Sequence, residues 1–138
     1  MKLIKKLYSK KGLSLVENMM AVGLFLIGIA AIVSVQIQSM TAGKRAGAAY
    51  AAYNIAKNRI ENLKVFSFSD VASAAETSVY VDEGGTPDPA GNYIRSTTIS
   101  ANYLGDANLI QIVVSVYYVL SDVQSAQPMQ LTTVFYNA

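Results

Sequence analysis

The sequence contains no cysteine and no histidine in its 138 residues. Without cysteine the chain cannot form a disulfide, although an oxidising compartment permits disulfides without requiring them. Without histidine it lacks the commonest general base and metal ligand. No glycine-rich phosphate loop or nucleophile triad is visible either. We therefore expect no enzyme, no cofactor and no metal site.

Proline and charge are both scarce in the first half of the chain. The first proline is Pro87, and no charged residue occurs between Glu17 and Lys44. Residues 19–35 are apolar except for Ser34. At about 1.5 Å per residue, 17 to 20 helical residues cross roughly 25 to 30 Å, which matches the hydrocarbon core of a bilayer. This run predicts a membrane-spanning helix.

The segment before the apolar run is basic and contains no acid. Its five lysines are Lys2, Lys5, Lys6, Lys10 and Lys11. Positive charge stays cytoplasmic, so the C-terminal part should be translocated, into the periplasm of a diderm cell. Without these five of the eleven basic residues, six remain against nine acidic ones, a charge of −3. That balance gives no support for nucleic-acid binding.

The junction between lysines and apolar run differs from a secretory signal. A signal peptide has an apolar region of about 7 to 15 residues followed by its cleavage site, whereas here the small residue Gly12 precedes a longer run. Glu17 is also unusual, because an ionisable residue at the head of a membrane helix commonly has a partner or a function. Cleavage after Gly12 would free the amine of Leu13, one helical turn from Glu17 on the same face.

These residues carry a family resemblance. Gly12-Leu13-Ser14-Leu15-Val16-Glu17, followed by an apolar run, resembles the processing and methylation motif of type IV prepilins and pseudopilins. The resemblance implies that prepilin peptidase cleaves between Gly12 and Leu13 and N-methylates Leu13. It makes Glu17 the fifth mature residue, which acts in assembly. Leu13 departs from the commonest phenylalanine.

A second, weaker likeness lies in residues 52–64, which are similar to minor pilins of the pilus-modification type and to small type II secretion pseudopilins. The resemblance implies a structural subunit of a type IV pilus, specifically a minor pilin. Its partners would be prepilin peptidase, other pilin subunits and the inner membrane. It would cross that membrane once with a periplasmic C-terminal domain and then reach the pilus at the cell surface.

Other functions remain open from the sequence. The chain could be a pseudopilin of a type II secretion system. It could also be a bitopic periplasmic protein with an uncleaved anchor, or a secreted enzyme with an unusual signal, although no catalytic constellation is visible. The resemblance does not separate pilus, secretion or DNA-uptake machinery.

The sequence predicts an α+β fold in three parts: a leader over 1–12, a transmembrane or filament-core helix over 13–38, and a globular pilin-like domain over 39–138. One helix is expected from Ser14 to about Val65. Its second half is amphipathic. The predicted buried face comprises Ala49, Ala52, Tyr53, Ala56, Ile60 and Leu63.

A three- to four-stranded antiparallel sheet is expected to pack on this helix. Residues 67–78 read as a loop, and strands are predicted over 79–81, 93–103, 109–120 and from Pro128 onwards. The even positions from Ile110 to Leu120 should be buried, because successive strand residues face opposite sides. Met129, Leu131 and Phe135 should share one face.

Three acidic residues, Asp82, Glu83 and Asp88, lie in a segment rich in glycine and proline. Carboxylates on a loop can bind calcium. Their spacing matches no fixed motif, so a solvated loop is the favoured interpretation. Lys44 and Arg45 are interpreted as the membrane exit or a filament salt bridge.

Overall fold

The computed structural model describes residues 14–137. The predicted cleavage and methylation residues, Gly12 and Leu13, lie outside the described residues. The chain forms two compact units, which divide between Thr41 and Ala42. Helix α1, Leu15–Leu63, contributes to both units.

Helix α1 has 49 residues, which corresponds to about 74 Å at 1.5 Å per residue. The prediction of one long helix is confirmed. Every residue from 14 to 47 is exposed, so none of them is buried against other residues that the structure describes. Its backbone hydrogen bonds are satisfied within the helix, which is the arrangement that a bilayer requires.

The part of α1 in the second unit has one buried face. Its buried residues are Ala48, Ala51, Ala52, Ile55, Ala56, Ile60 and Leu63. The predicted face was wrong at Tyr53, which is 39% exposed, and Ala49 is only half-buried. Ile55 lies in the core instead. The reason is that successive helical residues lie about 100° apart, which turns Tyr53 away from the face centred on Ala52 and Ala56.

The second unit pairs the helix with an antiparallel sheet, so the α+β fold is confirmed. The strands are β1 (Glu76–Val81), β2 (Tyr93–Ala101), β3 (Leu109–Leu120), β4 (Val123–Gln124) and β5 (Met129–Tyr136). Strand β2 lies between β1 and β3, and both β4 and β5 pair with β3. The residues that the structure describes thus form five strands, of which β4 has only two residues.

The core lies between the buried helix face and the even positions of β3. Ile110, Ile112, Val114 and Val116 are buried as predicted, while Tyr118 and Leu120 are half-buried near the strand end. Three alternate residues of β5 pack against the same core, also as predicted: Met129, Leu131 and Phe135.

Residues 67–78 differ from the predicted loop. Residues 67–78 contain a short helix, α2 (Phe68–Val71), a 3₁₀ turn and the start of β1. Val71 is fully buried, and this tertiary contact organises a segment whose composition suggests a loop.

The turn between β3 and β4 has Ser121 and Asp122 at φ 51° and 62°. Two successive positive φ values are the geometry of tight hairpin turns, whose twist matches the strands.

Candidate functional site

The N-terminal end of α1 is capped by Ser14. Its Oγ accepts a hydrogen bond from the backbone N–H of Glu17 at 3.2 Å, and its carbonyl accepts one from Asn18 at 3.0 Å. A serine at this position satisfies an N–H that has no partner within the helix. In the sequence, this cap is indicated by the Ser-x-x-Glu spacing of a capping box. The interpretation of Glu17 as an assembly residue does not depend on that spacing.

Glu17 lies in the first turn of α1 and is exposed. A carboxylate there is favoured by the partial positive charge of the helix N-terminus. The predicted pairing with the Leu13 amine falls outside the described residues. The structure therefore places Glu17 at the helix head, with its carboxylate accessible to a neighbour.

The first unit exposes large apolar side chains along most of its described length. Leu15, Phe25 and Ile37 are 78%, 68% and 59% exposed. Large apolar side chains exposed in this number are typical of surfaces that contact lipid or protein. By length and composition, α1 can cross a membrane.

A polar network in the second unit centres on Glu76. The Glu76 carboxylate forms a salt bridge with Arg59 Nη2 at 2.9 Å and accepts a hydrogen bond from Arg95 Nε at 3.0 Å. Arg95 Nη2 adds a third bond at 3.3 Å. Each guanidinium also binds a backbone carbonyl: Arg59 that of Ala74, and Arg95 that of Gly85, both at 2.8 Å. The network joins α1, β1, β2, the 3₁₀ turn before β1 and the loop after β1.

The electrostatics of this network favour a structural role. Arg95 is only 5% exposed. Burial lowers the pKa of Arg59, the charge of Glu76 opposes that shift, and the charge of Arg95 adds to it. Every buried side-chain nitrogen and oxygen among the described residues has a hydrogen-bond partner. These groups hold the helix, the strands and the adjoining segments together.

The sequence contains a usable signal for this network. Tyr93, Arg95 and Thr97 occupy the alternate, buried positions of β2. A cation in a buried register needs an anionic partner, and Glu76 faces Thr97 across the β1–β2 pair. That pairing, and Arg59 on α1, become visible only in three dimensions.

The acidic loop after β1 uses its carboxylates to form turns. Asp82 Oδ1 accepts the N–H of Thr86 at 2.8 Å, and Asp88 Oδ1 accepts that of Ala90 at 2.9 Å. Within residues 14–137, no three acidic side chains converge to hold a metal ion. Burial, together with the charge of Glu83, raises the pKa of Tyr93 beside this loop.

Comparisons with known proteins return no match among protein-family models, curated proteins or solved structures. The class of protein is therefore defined by its own residues. It is an α+β protein whose N-terminal helix is long and apolar enough to cross a membrane.

Proposed function

We propose that the chain is a structural subunit of a type IV pilus, a minor pilin that prepilin peptidase processes and that assembles through α1. The observation that carries this proposal is the Gly12–Glu17 motif at the head of a long helix whose apolar surface is exposed. The α+β domain behind that helix supports the proposal, because the pilin resemblance implies this arrangement.

The position of Glu17 suggests how subunits would associate. In the bilayer α1 is stable alone, because its backbone bonds are internal. Moving it among other apolar helices removes water from Glu17, and a carboxylate without water needs a cationic partner. The methylated amine of Leu13 on an adjacent subunit remains cationic and fits that role. The pairing would set the axial register, because any other stagger leaves a charge without a partner.

Processing is the first test. Mass spectrometry of the protein from its native cell should show loss of residues 1–12 and one added methyl group on Leu13. Sequencing from the N-terminus separates the alternatives, since an uncleaved anchor keeps Met1 and a secreted protein starts beyond the apolar run. Intact Met1 in filament and membrane fractions would refute the proposal.

The second test separates the charge of Glu17 from the helix cap. The Ser14 cap binds the backbone N–H of Glu17, so it survives in Glu17→Gln and Glu17→Ala. Ser14→Ala is the matched control, because it removes the cap and keeps the carboxylate. Each variant is expressed in a strain lacking the native gene, and processed protein in membranes is compared with protein in sheared filaments.

We expect Glu17→Gln and Glu17→Ala to be cleaved normally but to enter filaments poorly. Glu17→Asp should be intermediate, because its shorter side chain reaches less far, and Ser14→Ala should assemble. Filament number is counted as well, since a minor subunit is present in few copies. Equal incorporation of Glu17→Gln and wild type into filaments would refute the claim that the charge of Glu17 sets the axial register between subunits.

A pseudopilin of a type II secretion system is the second candidate, because residues 52–64 resemble small pseudopilins as well as minor pilins. It predicts the same processing at Gly12. The two are separated by deleting the gene and scoring surface pili against secretion of exoproteins.

A further inference from the structure

Strand β5 forms one edge of the sheet, and among residues 14–137 it pairs only with β3. The N–H of Asn137 donates to the carbonyl of Asn108 at 2.9 Å, in line with the β3–β5 ladder. In an antiparallel pair, residues alternate between bonding to the neighbour and pointing away from it. The backbone groups that point away from β3 therefore belong to Gln130, Thr132, Val134 and Tyr136.

The opposite edge, at β1, is closed to pairing. Its register with β2 shifts between Glu76 and Val79, where Ser78 has φ 52°. The carbonyl of Tyr80 already accepts a hydrogen bond from Asp88 N at 3.0 Å. A bulge, a charge and a covering loop are the devices by which proteins protect a sheet edge.

Strand β5 has none of those devices. From Met129 to Tyr136 it contains no charged residue and no proline, and its pairing with β3 has no register shift. An edge strand of this kind is a template for another strand. The contrast between the two edges indicates that β5 is built to pair and that β1 is not.

A groove of about 400 Å³ runs beside this edge. It is lined by Lys64, Phe66, Phe68 and the four consecutive residues 133–136. Consecutive strand residues face opposite sides of a sheet. A groove that touches all four therefore lies along the edge of β5, where an added strand would place its side chains.

We propose that β5 pairs antiparallel with β5 of a second copy of this chain, across a two-fold axis. The absence of charge on β5 means that no like charges meet in self-pairing. Because the β1 edge is closed, further copies cannot add head to tail by pairing β5 with β1. The assembly formed through β5 is therefore limited to two copies. This inference uses residues of the second unit only and does not rest on the proposed function.

One register uses every free backbone group on both strands, and it places Thr133 on the axis. Gln130 then lies opposite Tyr136 of the second copy, and Thr132 lies opposite Val134 of the second copy, giving about eight backbone hydrogen bonds. On the other face, Leu131 of the second copy meets Phe135 beside the aromatic groove. Apolar–aromatic and Thr–Thr pairs are favourable cross-strand neighbours.

The absence of cysteine allows a direct test. In the proposed register the two Thr133 residues form a pair without hydrogen bonds, with Cα atoms about 4.5 Å apart, which is within the range that a disulfide spans. Thr133→Cys is made in the full chain, in detergent micelles and in membranes of the expressing cells. Oxidation with copper phenanthroline is followed by non-reducing electrophoresis and mass spectrometry.

We expect Thr133→Cys to give a disulfide-linked product of twice the chain mass. Thr132→Cys, two residues out of register, and Thr77→Cys on the β1 edge should cross-link about tenfold less. In the double variant Thr132→Pro, Thr133→Cys, proline removes the backbone N–H of residue 132, which points away from β3 and makes no hydrogen bond within the sheet. Circular dichroism should therefore show that the fold persists, while the cross-linked dimer is lost.

Three results would overturn the proposal. The first is cross-linking of Thr133→Cys no faster than that of Thr77→Cys. The second is faster reaction of Thr132→Cys, which would refute the register. The third is a membrane product whose mass shows a different chain attached to residue 133, because the edge would then serve a foreign strand instead of a second copy.

Discussion

Replacing Glu76 with glutamine tests the polar network that joins helix and sheet. The substitution keeps the size of the side chain and removes its charge. One oxygen remains to accept a hydrogen bond, but the new NH₂ group faces guanidinium donors from Arg59 and Arg95. Those two donors lie 2.9 and 3.0 Å from the Glu76 carboxylate, so donor would face donor.

The magnitude follows from burial. Removing one partner of a buried ion pair lowers stability by about 3 to 5 kcal/mol. The Glu76 side chain is 22% exposed, and Arg59 and Arg95 keep their bonds to backbone carbonyls, so the lower end applies. We expect the free energy of unfolding to fall by about 3 kcal/mol, which in a domain of this size lowers Tm by about 15 °C.

The assay is urea and thermal unfolding of a chain that begins at Ser39. This chain omits the apolar run and retains all of the second unit, Ala42–Ala138, so we expect it to be soluble and folded. Glu61→Gln is the matched control. Its pair with Lys64 has the same 2.9 Å separation, but the two side chains are 54% and 51% exposed, and an exposed pair contributes less than about 1 kcal/mol.

The comparison of the two variants decides the outcome. Equal losses in Glu76→Gln and Glu61→Gln would mean that water screens the Glu76 network as it screens a surface pair. An increase in stability on Glu76→Gln would mean that desolvation of the carboxylate outweighs its attraction to the two arginines.

The same chain allows three further predictions. Leu63→Asp should unfold it, because Leu63 is fully buried and a lone buried charge is strongly disfavoured. The control Val65→Asp, at an 87% exposed position, should leave the circular dichroism spectrum unchanged. Wild-type stability of Leu63→Asp would contradict the assigned helix face. Gly91→Ala should lower the free energy of unfolding, since a Cβ there would lie 2.1 Å from the carbonyl oxygen of the β1 residue Val81. In the control Gly47→Ala, the new Cβ meets nothing within 4 Å, and the substitution should stabilise the helix by about 1 kcal/mol. If urea titrations showed that Gly91→Ala stabilises the chain, the loop would have to move freely away from Val81. The raised pKa of Tyr93 means that the folded state holds the phenol proton more tightly than the unfolded state. The stability from this group is therefore fully present below about pH 10 and is lost as pH rises through the folded pKa. Tyr93→Phe should remove this part of the alkaline loss of stability, and identical profiles of stability against pH for the two chains would refute the prediction.

Periodicity and composition were sufficient to predict the main elements. The limits of β3 were predicted as Leu109–Leu120, because its apolar residues alternate without interruption and strand geometry has a period of two. The long helix was predictable for the complementary reason that no proline interrupts it before Pro87. The cleavage and methylation of Gly12 and Leu13, and the assembly role of Glu17, stay predictions from the motif.

Tertiary structure decided what depends on distant parts of the chain. Arg59, Glu76 and Arg95 are far apart in sequence, and only the packing of α1 against β1 and β2 brings their charges together. The choice of Ile55 over Tyr53 for the core depends on where the sheet meets the helix. Local sequence therefore determined which elements form, since backbone geometry and hydrophobic period are local. The polar network and the open β5 edge depended on which elements became neighbours, and that is a property of the whole fold.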